Sequence, residues 1–436
     1  MTTIAVIGAG ITGITTAYSL LKRGFDVVVL DRHRYPAMDT SFANGGQLSA
    51  CNAEVWNNTG TVMKGLKWML KKDAPLLVNP LPSWHKYSWM GEFLYAIRGY
   101  ETNTIETARL AIAAREHLFK WANEEHIDFD LEERGILHVY QSKAGFESGL
   151  AVSKMLAKAG LERSTVTPEE IRAIEPTLVG KFYGGFFTPS DATGDIHKFT
   201  RGLAKACERL GAKFIMEAEL KDIKQQGNGH TLYYQSLAHD SSGQNSALSV
   251  DALVVCAGVG SRKVAAMLGD RINIYPVKGY SITVNLEDEA SQAAAPWVSL
   301  LDEEAKIVTS RLGKDRLRVA GTAEYNGENR NIRADRIAPL TNWVRRNFHE
   351  AATDNVIPWA GLRPMMPDMM PRIKAGSKPG VFYNTGHGHL GWTLSAATAQ
   401  LVTDLIVATE EPTIQVPTSS STGSASAHTP PKEVKA

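Results

Sequence analysis

Near the start of the chain, Gly8, Gly10 and Gly13 form a G-x-G-x-x-G run, and Asp31 follows 18 residues after the last of them. In such a run the first glycine makes a tight turn, the second lets backbone approach a pyrophosphate, and the third lets a helix pack closely on a strand. With Ala9, Ile11 and Thr12 between them, they form the expected phosphate cradle, and a helix starting there sets its positive end against the phosphates. Asp31 is the expected acceptor for a ribose hydroxyl. Its charge disfavours a 2′-phosphate, although Arg32 and Arg34 lie beside it, so FAD or NAD is preferred over NADP.

The loop TSFANGGQLS at 40–49 gathers Ser41, Asn44, Gly45, Gly46, Gln47 and Leu48, a set of side-chain and backbone donors suited to a planar polar ring such as isoalloxazine. A second glycine loop, carrying Gly386, Gly388, His389, Leu390, Gly391, Trp392 and Thr393, leads into a helix. The positive end of that helix would favour an anionic reduced flavin. An enzyme using NAD alone would leave both loops unexplained. Arg363, in GLRP just upstream, carries a planar guanidinium suited to gripping a carboxylate with two parallel hydrogen bonds. Tyr280, in KGYS, is either a second donor to that carboxylate or a core aromatic. His389 either narrows the pocket, donates to a ligand or faces solvent. Met365, Met366, Met369 and Met370 either line an adaptable pocket or fill core gaps.

These residues need elements to hold them. TIAVI at 3–7 reads as a strand, Ile14, Ala17, Leu20 and Leu21 recur at helical spacing, Gly24 ends that helix, and FDVVVLD is a second apolar strand. This is one βαβ unit of a parallel sheet covered on both faces. Helices are expected over 104–126 and 197–211, and strands running into glycine turns over 250–261 and 380–393, the last followed by a helix through about 408. Alternating patterns over 266–350 suit an antiparallel domain inserted between parts of the first. The expected architecture is therefore α/β plus α+β. A discontinuous Rossmann-like FAD-binding domain takes 1–90, 190–265 and 355–412, and an antiparallel-sheet substrate domain takes 91–189 and 266–354. The Ser, Thr and Pro-rich stretch 413–436 is expected to be a disordered tail.

Composition narrows the partner. The chain has 436 residues and a formal charge of +1, without the positive field of a nucleic-acid binder. Its three cysteines, Cys51, Cys207 and Cys256, give neither a disulfide framework nor a metal site and suit a reducing, cytoplasmic setting. No apolar run of about 20 residues and no signal peptide is read. No H-x-x-x-H and no G-x-S-x-G is present, so no metal is expected and serine catalysis lacks support. Residues 62–72 (VMKGLKWMLKK) set Lys64, Lys67 and Lys71 beside apolar residues at helical spacing. That pattern fits either a core-facing helix or peripheral contact with a membrane surface.

TSFANGGQLS, GLKWMLKKDAPL at 65–76, SDATGD at 190–195, YPVKGYSIT at 275–283, GLRPMMPD at 361–368 and TGHGHLGWT at 385–393 together resemble the bacterial FAD-dependent D-amino acid dehydrogenases, within the D-amino acid oxidase and glycine oxidase superfamily. The resemblance runs through about 410 residues. It implies FAD, with Leu220, Cys256, Ala257 and Gly258 added to the cofactor contacts, and it aligns Arg363 with the family's carboxylate-binding arginine; with no cysteine near 385–393, noncovalent attachment is expected. It also implies oxidative deamination of small D-amino acids by hydride transfer to flavin with no protein base on carbon. Electrons would pass to a quinone-type acceptor, which suits the cytoplasmic face of the inner membrane. A secondary-amine oxidase or dehydrogenase acting on sarcosine, proline or hydroxyproline is the alternative. His389 stands where a threonine is usual, and Met369–Met370 where Gly-Thr is usual, which leaves the substrate range open.

Overall fold

A computed structural model describes residues 2–68 and 75–410. Its first sheet has six strands, in the order Arg372–Ala375, Val381–Thr385, Ala252–Val255, Thr3–Ile7, Asp26–Leu30 and Lys213–Ile215. All pairings are parallel except that of the edge strand Arg372–Ala375. Alternate residues of Thr3–Ile7 serve two cores. Ile4 and Val6 pack with Ile14, Ala17, Leu203 and Val402 from the covering helices, whereas Ala5 and Ile7 pack with Leu232, Val250 and Leu268 on the other side. Burial on both faces is why these strands are apolar throughout.

Three helices, Ile11–Lys22, Ile196–Arg209 and Gly391–Glu410, cover one face, with Tyr100–Glu124 packed on the last. The three-stranded antiparallel sheet Ala218–Gln226, Gly229–Ser236 and Asn245–Val250 covers the other with helix Ser261–Leu268. Gly388–Thr409 is long and apolar enough to cross a bilayer by length and composition, contrary to the expectation that no run approached this, yet 67% of its apolar window is buried inside the protein. It is a core helix, apolar because it touches protein on most sides.

A second sheet of nine strands runs Val356–Met365, Tyr275–Asn285, Arg316–Tyr325, Ile307–Leu312, Ser299–Asp302, Ile136–Tyr140, Gly184–Thr188 and Ser164–Val166, with Leu76–Val78 paired in parallel to Arg316–Tyr325. Helix Ala334–Asn347 closes its core through Leu340, Trp343 and Val344. Two expected domain boundaries are thereby corrected. Val356–Met365, placed in the FAD-binding segment 355–412, pairs along its length with Tyr275–Asn285, and Leu76–Val78, placed in 1–90, also joins the antiparallel sheet. Strand pairing is a long-range choice that local pattern does not reveal.

Helix Thr59–Trp68 covers the first part of the amphipathic stretch. Residues 69–72 of that stretch and the tail 413–436 lie outside the described residues.

Candidate functional site

The two glycine loops meet at one cavity of about 1770 Å³ between the sheets. This exceeds the roughly 300–1,000 Å³ of a single small-ligand pocket and suits a dinucleotide together with a second molecule.

At one end stands the N-terminus of Ile11–Lys22. Its cap, Gly10, supplies no side-chain hydrogen bond, and a Cβ there would meet only Ser41 Oγ, at 3.5 Å. Backbone N–H groups are thus left facing a surface that a phosphate can approach closely. Gly8 has φ +112, and a Cβ on Gly13 would lie 1.8 Å from Gly8 O, so strand and helix touch at this point. Asp31 lines the cavity, its carboxylate fixed by Ala9 N and His33 N, both at 2.7 Å. Two hydrogen bonds leave a carboxylate with lone pairs for a ribose hydroxyl. Arg32 reaches Asp39 at 3.3 Å.

The Asn44–Gly46 turn lies flat on the second sheet. Cβ atoms on Gly45 and Gly46 would fall 2.9 Å from Val308 and Ser310, and the carbonyls of Ala43, Asn44 and Gly45 accept from Ser281, Arg318 and Ser310. Asn44 Oδ1 accepts from Gly46 N and Gln47 Nε2 donates to Ser299, so these atoms hold the loop in place. SDATGD proves to be scaffolding. Ala192–Thr193 pairs with Gln47–Leu48, Asp191 accepts from Ala50 N and Cys51 N, and Asp195 caps Ile196–Arg209.

Gly386 and Gly388 have φ +79 and +61, and Cβ atoms there would meet Met366 at 2.5 Å and Met365 at 2.9 Å. None of Met365, Met366, Met369 and Met370 lines the cavity; the first three are buried core and Met370 Sδ accepts from Thr107. The pocket role considered for them is therefore replaced by support of the glycine loop. Trp392 borders the cavity, while its Nε1 is buried with no partner among the described residues.

Gly8, Gly10, Ile11, Thr12, Asp31, Arg32, Ser41, Asn44, Gly45, Gly46, Gln47, Leu220, Cys256, Ala257, Gly258, Gly386, Gly388, His389, Gly391, Trp392 and Thr393 all border this cavity. Four expected contacts do not. Gly13 is sealed against Gly8, Ala9 is 1% exposed, and Leu48 and Leu390 turn into core clusters. Burial of Cys256 pushes its thiol up to about 12, which keeps it protonated.

Arg363, on Val356–Met365, stands opposite Val277 and reaches diagonally over Gly279, where a Cβ would fall 2.3–2.6 Å from the guanidinium. Its Nη1 donates to Thr322 O at 3.1 Å, and no carboxylate of the described residues lies within ion-pair distance. Burial lowers its pKa to about 10, so it remains cationic at neutral pH. A cation bordering a cavity with one neutral carbonyl as partner calls for an anion from outside the chain.

Tyr280 is buried and borders the cavity, but its hydroxyl is already engaged. Its hydroxyl donates to Glu324 at 2.5 Å, and Glu324 also pairs with Lys278 at 3.1 Å. Tyr325, which sequence reading passed over, lines the cavity as well; burial raises its pKa overall, while the nearby Arg363 charge favours its ionised form. His389 stacks on Trp56 with ring centroids 4.8 Å apart and bonds Asn52 O at 3.3 Å. Burial and the Arg363 charge bring it down to about 4, so a neutral ring forms part of the wall. Gly279 was also missed, although a glycine inside a strand is itself a signal of close approach. A buried chain unforeseen from sequence, Cys51 Sγ to His138 Nε2 and His138 Nδ1 to Glu303, each 3.1 Å, borders the same cavity. Burial and Asp191 hold the Cys51 thiol well above the usual range, so it is not a nucleophile.

Two predictions follow from this geometry. Gly279→Ala keeps an allowed strand backbone but displaces the guanidinium; titration with propionate should show affinity reduced roughly tenfold or more, with flavin content unchanged. Unaltered affinity would contradict the placement of Arg363. Burial also holds His138 at about 4 and His387 at about 3, against 6.5 when exposed. The unfolded chain then binds protons that the folded rings refuse, so stability should fall as pH drops from 6.5 towards 4, by up to about 1.4 kcal/mol per pH unit for each ring. Urea titrations at pH 7, 6 and 5 test this, and His138→Gln should flatten the slope.

Comparison with known proteins matches residues 3–405 to the family described as FAD dependent oxidoreductase. The chain is 61% identical to D-amino acid dehydrogenase 3 of Mesorhizobium japonicum over 94% of this chain and 98% of that one. It is 39% identical to the D-amino acid dehydrogenase of Paramagnetospirillum magneticum over 92% and 94%. Among solved structures it is similar to glycine oxidase from Geobacillus kaustophilus, with TM-score 0.70 and 19% identity over 94% of this chain and 95% of that one. L-proline dehydrogenase from P. horikoshii gives TM-score 0.70 and 16% identity over 93% of both chains; at such identities the likeness is one of fold. With a cradle that fits the dinucleotide and a family match over nearly its whole length, the chain belongs to the FAD dependent oxidoreductase family, among the D-amino acid dehydrogenases.

Proposed function

We propose that this protein oxidatively deaminates D-amino acids, the α-hydrogen leaving as hydride to bound FAD and water converting the imino acid to a 2-oxo acid and ammonia. The observation that carries this reading is Arg363, a cation with only a carbonyl partner in the cavity that the dinucleotide cradle borders. Its guanidinium fixes the carboxylate, and Gly279 fixes the guanidinium, so the α carbon is oriented by the sheet. The names of the relatives support D-configured substrates. Anaerobic addition of D-amino acids should bleach the purified yellow protein, while L-amino acids, sarcosine and proline should not. Arg363→Lys, which loses the fork geometry, should raise KM for every substrate roughly tenfold or more. Bleaching by sarcosine or proline in preference to D-amino acids would replace this reading with secondary-amine oxidation.

The electrons pass to a quinone-type acceptor, with the protein bound peripherally to the cytoplasmic face of the inner membrane. Support comes from Leu81, Trp84 and Tyr95, which are 69%, 85% and 66% exposed, while Tyr87, Met90, Phe93 and Leu94 of the same segment border the cavity. Large apolar side chains clustered at a cavity entrance are suited to a lipid surface and a lipophilic acceptor. Wild type should sediment with anionic vesicles, and Leu81→Asp plus Trp84→Asp should remain in the supernatant with amino-acid bleaching intact. Equal sedimentation of both would remove the membrane reading.

A further inference from the structure

Beyond Arg363 the cavity wall changes character. Thr322, whose carbonyl receives the guanidinium, lies on the strand Arg316–Tyr325, and Leu76–Val78 pairs directly with Ala323–Tyr325. That pairing sets Leu76 and Val78 beside Tyr325, and Trp89 packs behind, its ring 5.6 Å from Tyr325 and its indole N–H donated to Met365 O. Phe93 stacks on Trp89 at 5.2 Å, and Trp56 stacks on the neutral His389. Trp56, Leu76, Val78, Met90, Phe93 and Tyr325 all border the cavity and belong to one apolar cluster, apart from the glycine loops. Of the charged groups that border the cavity, Lys86, on the helix that carries Trp89, has among the described residues only the carbonyls of Asn79 and Leu81 as hydrogen-bond partners, and Arg163 keeps Nε and Nη2 unpaired among them, whereas two carboxylates are engaged. Glu54 accepts from Tyr100 at 2.6 Å, and Glu303 is engaged by both Lys306 and His138.

The geometry points to this lobe as the side-chain subsite, selecting D-amino acids with large apolar or aromatic side chains over small and cationic ones. The inference rests on the reading of Arg363 as the carboxylate anchor. With the carboxylate held there, a side chain entering the lobe meets aromatic and aliphatic carbon. A methyl group leaves most of that surface uncovered, and an ammonium loses water beside the cations Arg363 and Lys86 without gaining a counter-charge. Selectivity arises from burial alone, so it scales with apolar area: roughly 10- to 100-fold in kcat/KM for a phenylalanine- or leucine-sized group over a methyl group. Val78 and Leu76 lie on a short strand held by three register pairs, so they shape the lobe without carrying any hydrogen bond to the substrate.

The test is steady-state kinetics of the FAD-loaded, full-length protein with an artificial acceptor, using D-phenylalanine, D-leucine, D-alanine and D-lysine. Expected is a kcat/KM order with D-phenylalanine and D-leucine at least tenfold above D-alanine, and D-lysine lowest. Val78→Phe, which fills the lobe, should lower the D-phenylalanine to D-alanine ratio at least tenfold. Retained flavin absorbance and unchanged thermal midpoint show that the variant is folded; Leu76→Phe serves the same comparison if Val78→Phe does not fold. D-Alanine matching or exceeding D-phenylalanine, or a ratio unmoved by both variants, overturns the subsite while leaving D-amino acid oxidation intact. Flavin reduced by no D-amino acid in the panel overturns both.

Discussion

A guanidinium drawn into a protein interior is costly unless something answers its charge, and Arg363 is answered within the chain by one carbonyl oxygen. The rest of the site is arranged around that imbalance. Gly279 leaves room for the planar group to lie across the sheet, Thr322 O fixes one edge, and Tyr325 and His389 stand near as neutral neighbours. Neutrality matters here: a carboxylate close by would have satisfied the cation and removed its call for an external anion. The buried carboxylate Glu324 is already engaged by Tyr280, Lys278 and Asn326.

Placement of the cofactor cradle depends on close approach rather than on many polar side chains. Gly8, Gly13, Gly45, Gly46, Gly386 and Gly388 are each pressed against backbone or side chains where a Cβ would collide. Several polar side chains that look like ligand donors in the sequence are spent on holding these loops. Gln47 reaches Ser299, Asn44 closes its own turn, and Asp191 anchors the segment after the loop. What remains for a dinucleotide is mainly backbone N–H at two helix starts, the arrangement that best tolerates a ligand carrying phosphate charge and a polar ring edge.

The glycine fingerprint, the first strand–helix–strand unit and the main helices were legible because each rests on residues close in sequence: apolar spacing, a terminating glycine, an acid at a strand end. Helix 104–126 was read within a few residues of Tyr100–Glu124, and 197–211 within two of Ile196–Arg209. The engagement of the Tyr280 hydroxyl was not legible because its partner Glu324 lies 44 residues away, on a strand whose register no local pattern specifies. Gly279, one position earlier, faces the opposite side of the same strand, and that alternation is what gives it the guanidinium while Tyr280 enters the core. The methionines after Arg363 carried no spacing signal to separate core from pocket; packing under Gly386 and Gly388 decided it.

The amino-acid sequence by itself determined the dinucleotide motif, the kinds of element that carry it and the presence of an arginine suited to a carboxylate, since these depend on residue type and short-range periodicity. Only the tertiary structure decided that Val356–Met365 joins the antiparallel sheet, that Leu76–Val78 is laid against Tyr325, and that Arg363 faces a cavity rather than a counter-ion. Those outcomes turn on strand register and on which distant surfaces meet. The free energies that settle them come from pairings between residues far apart in the chain, which no short window contains.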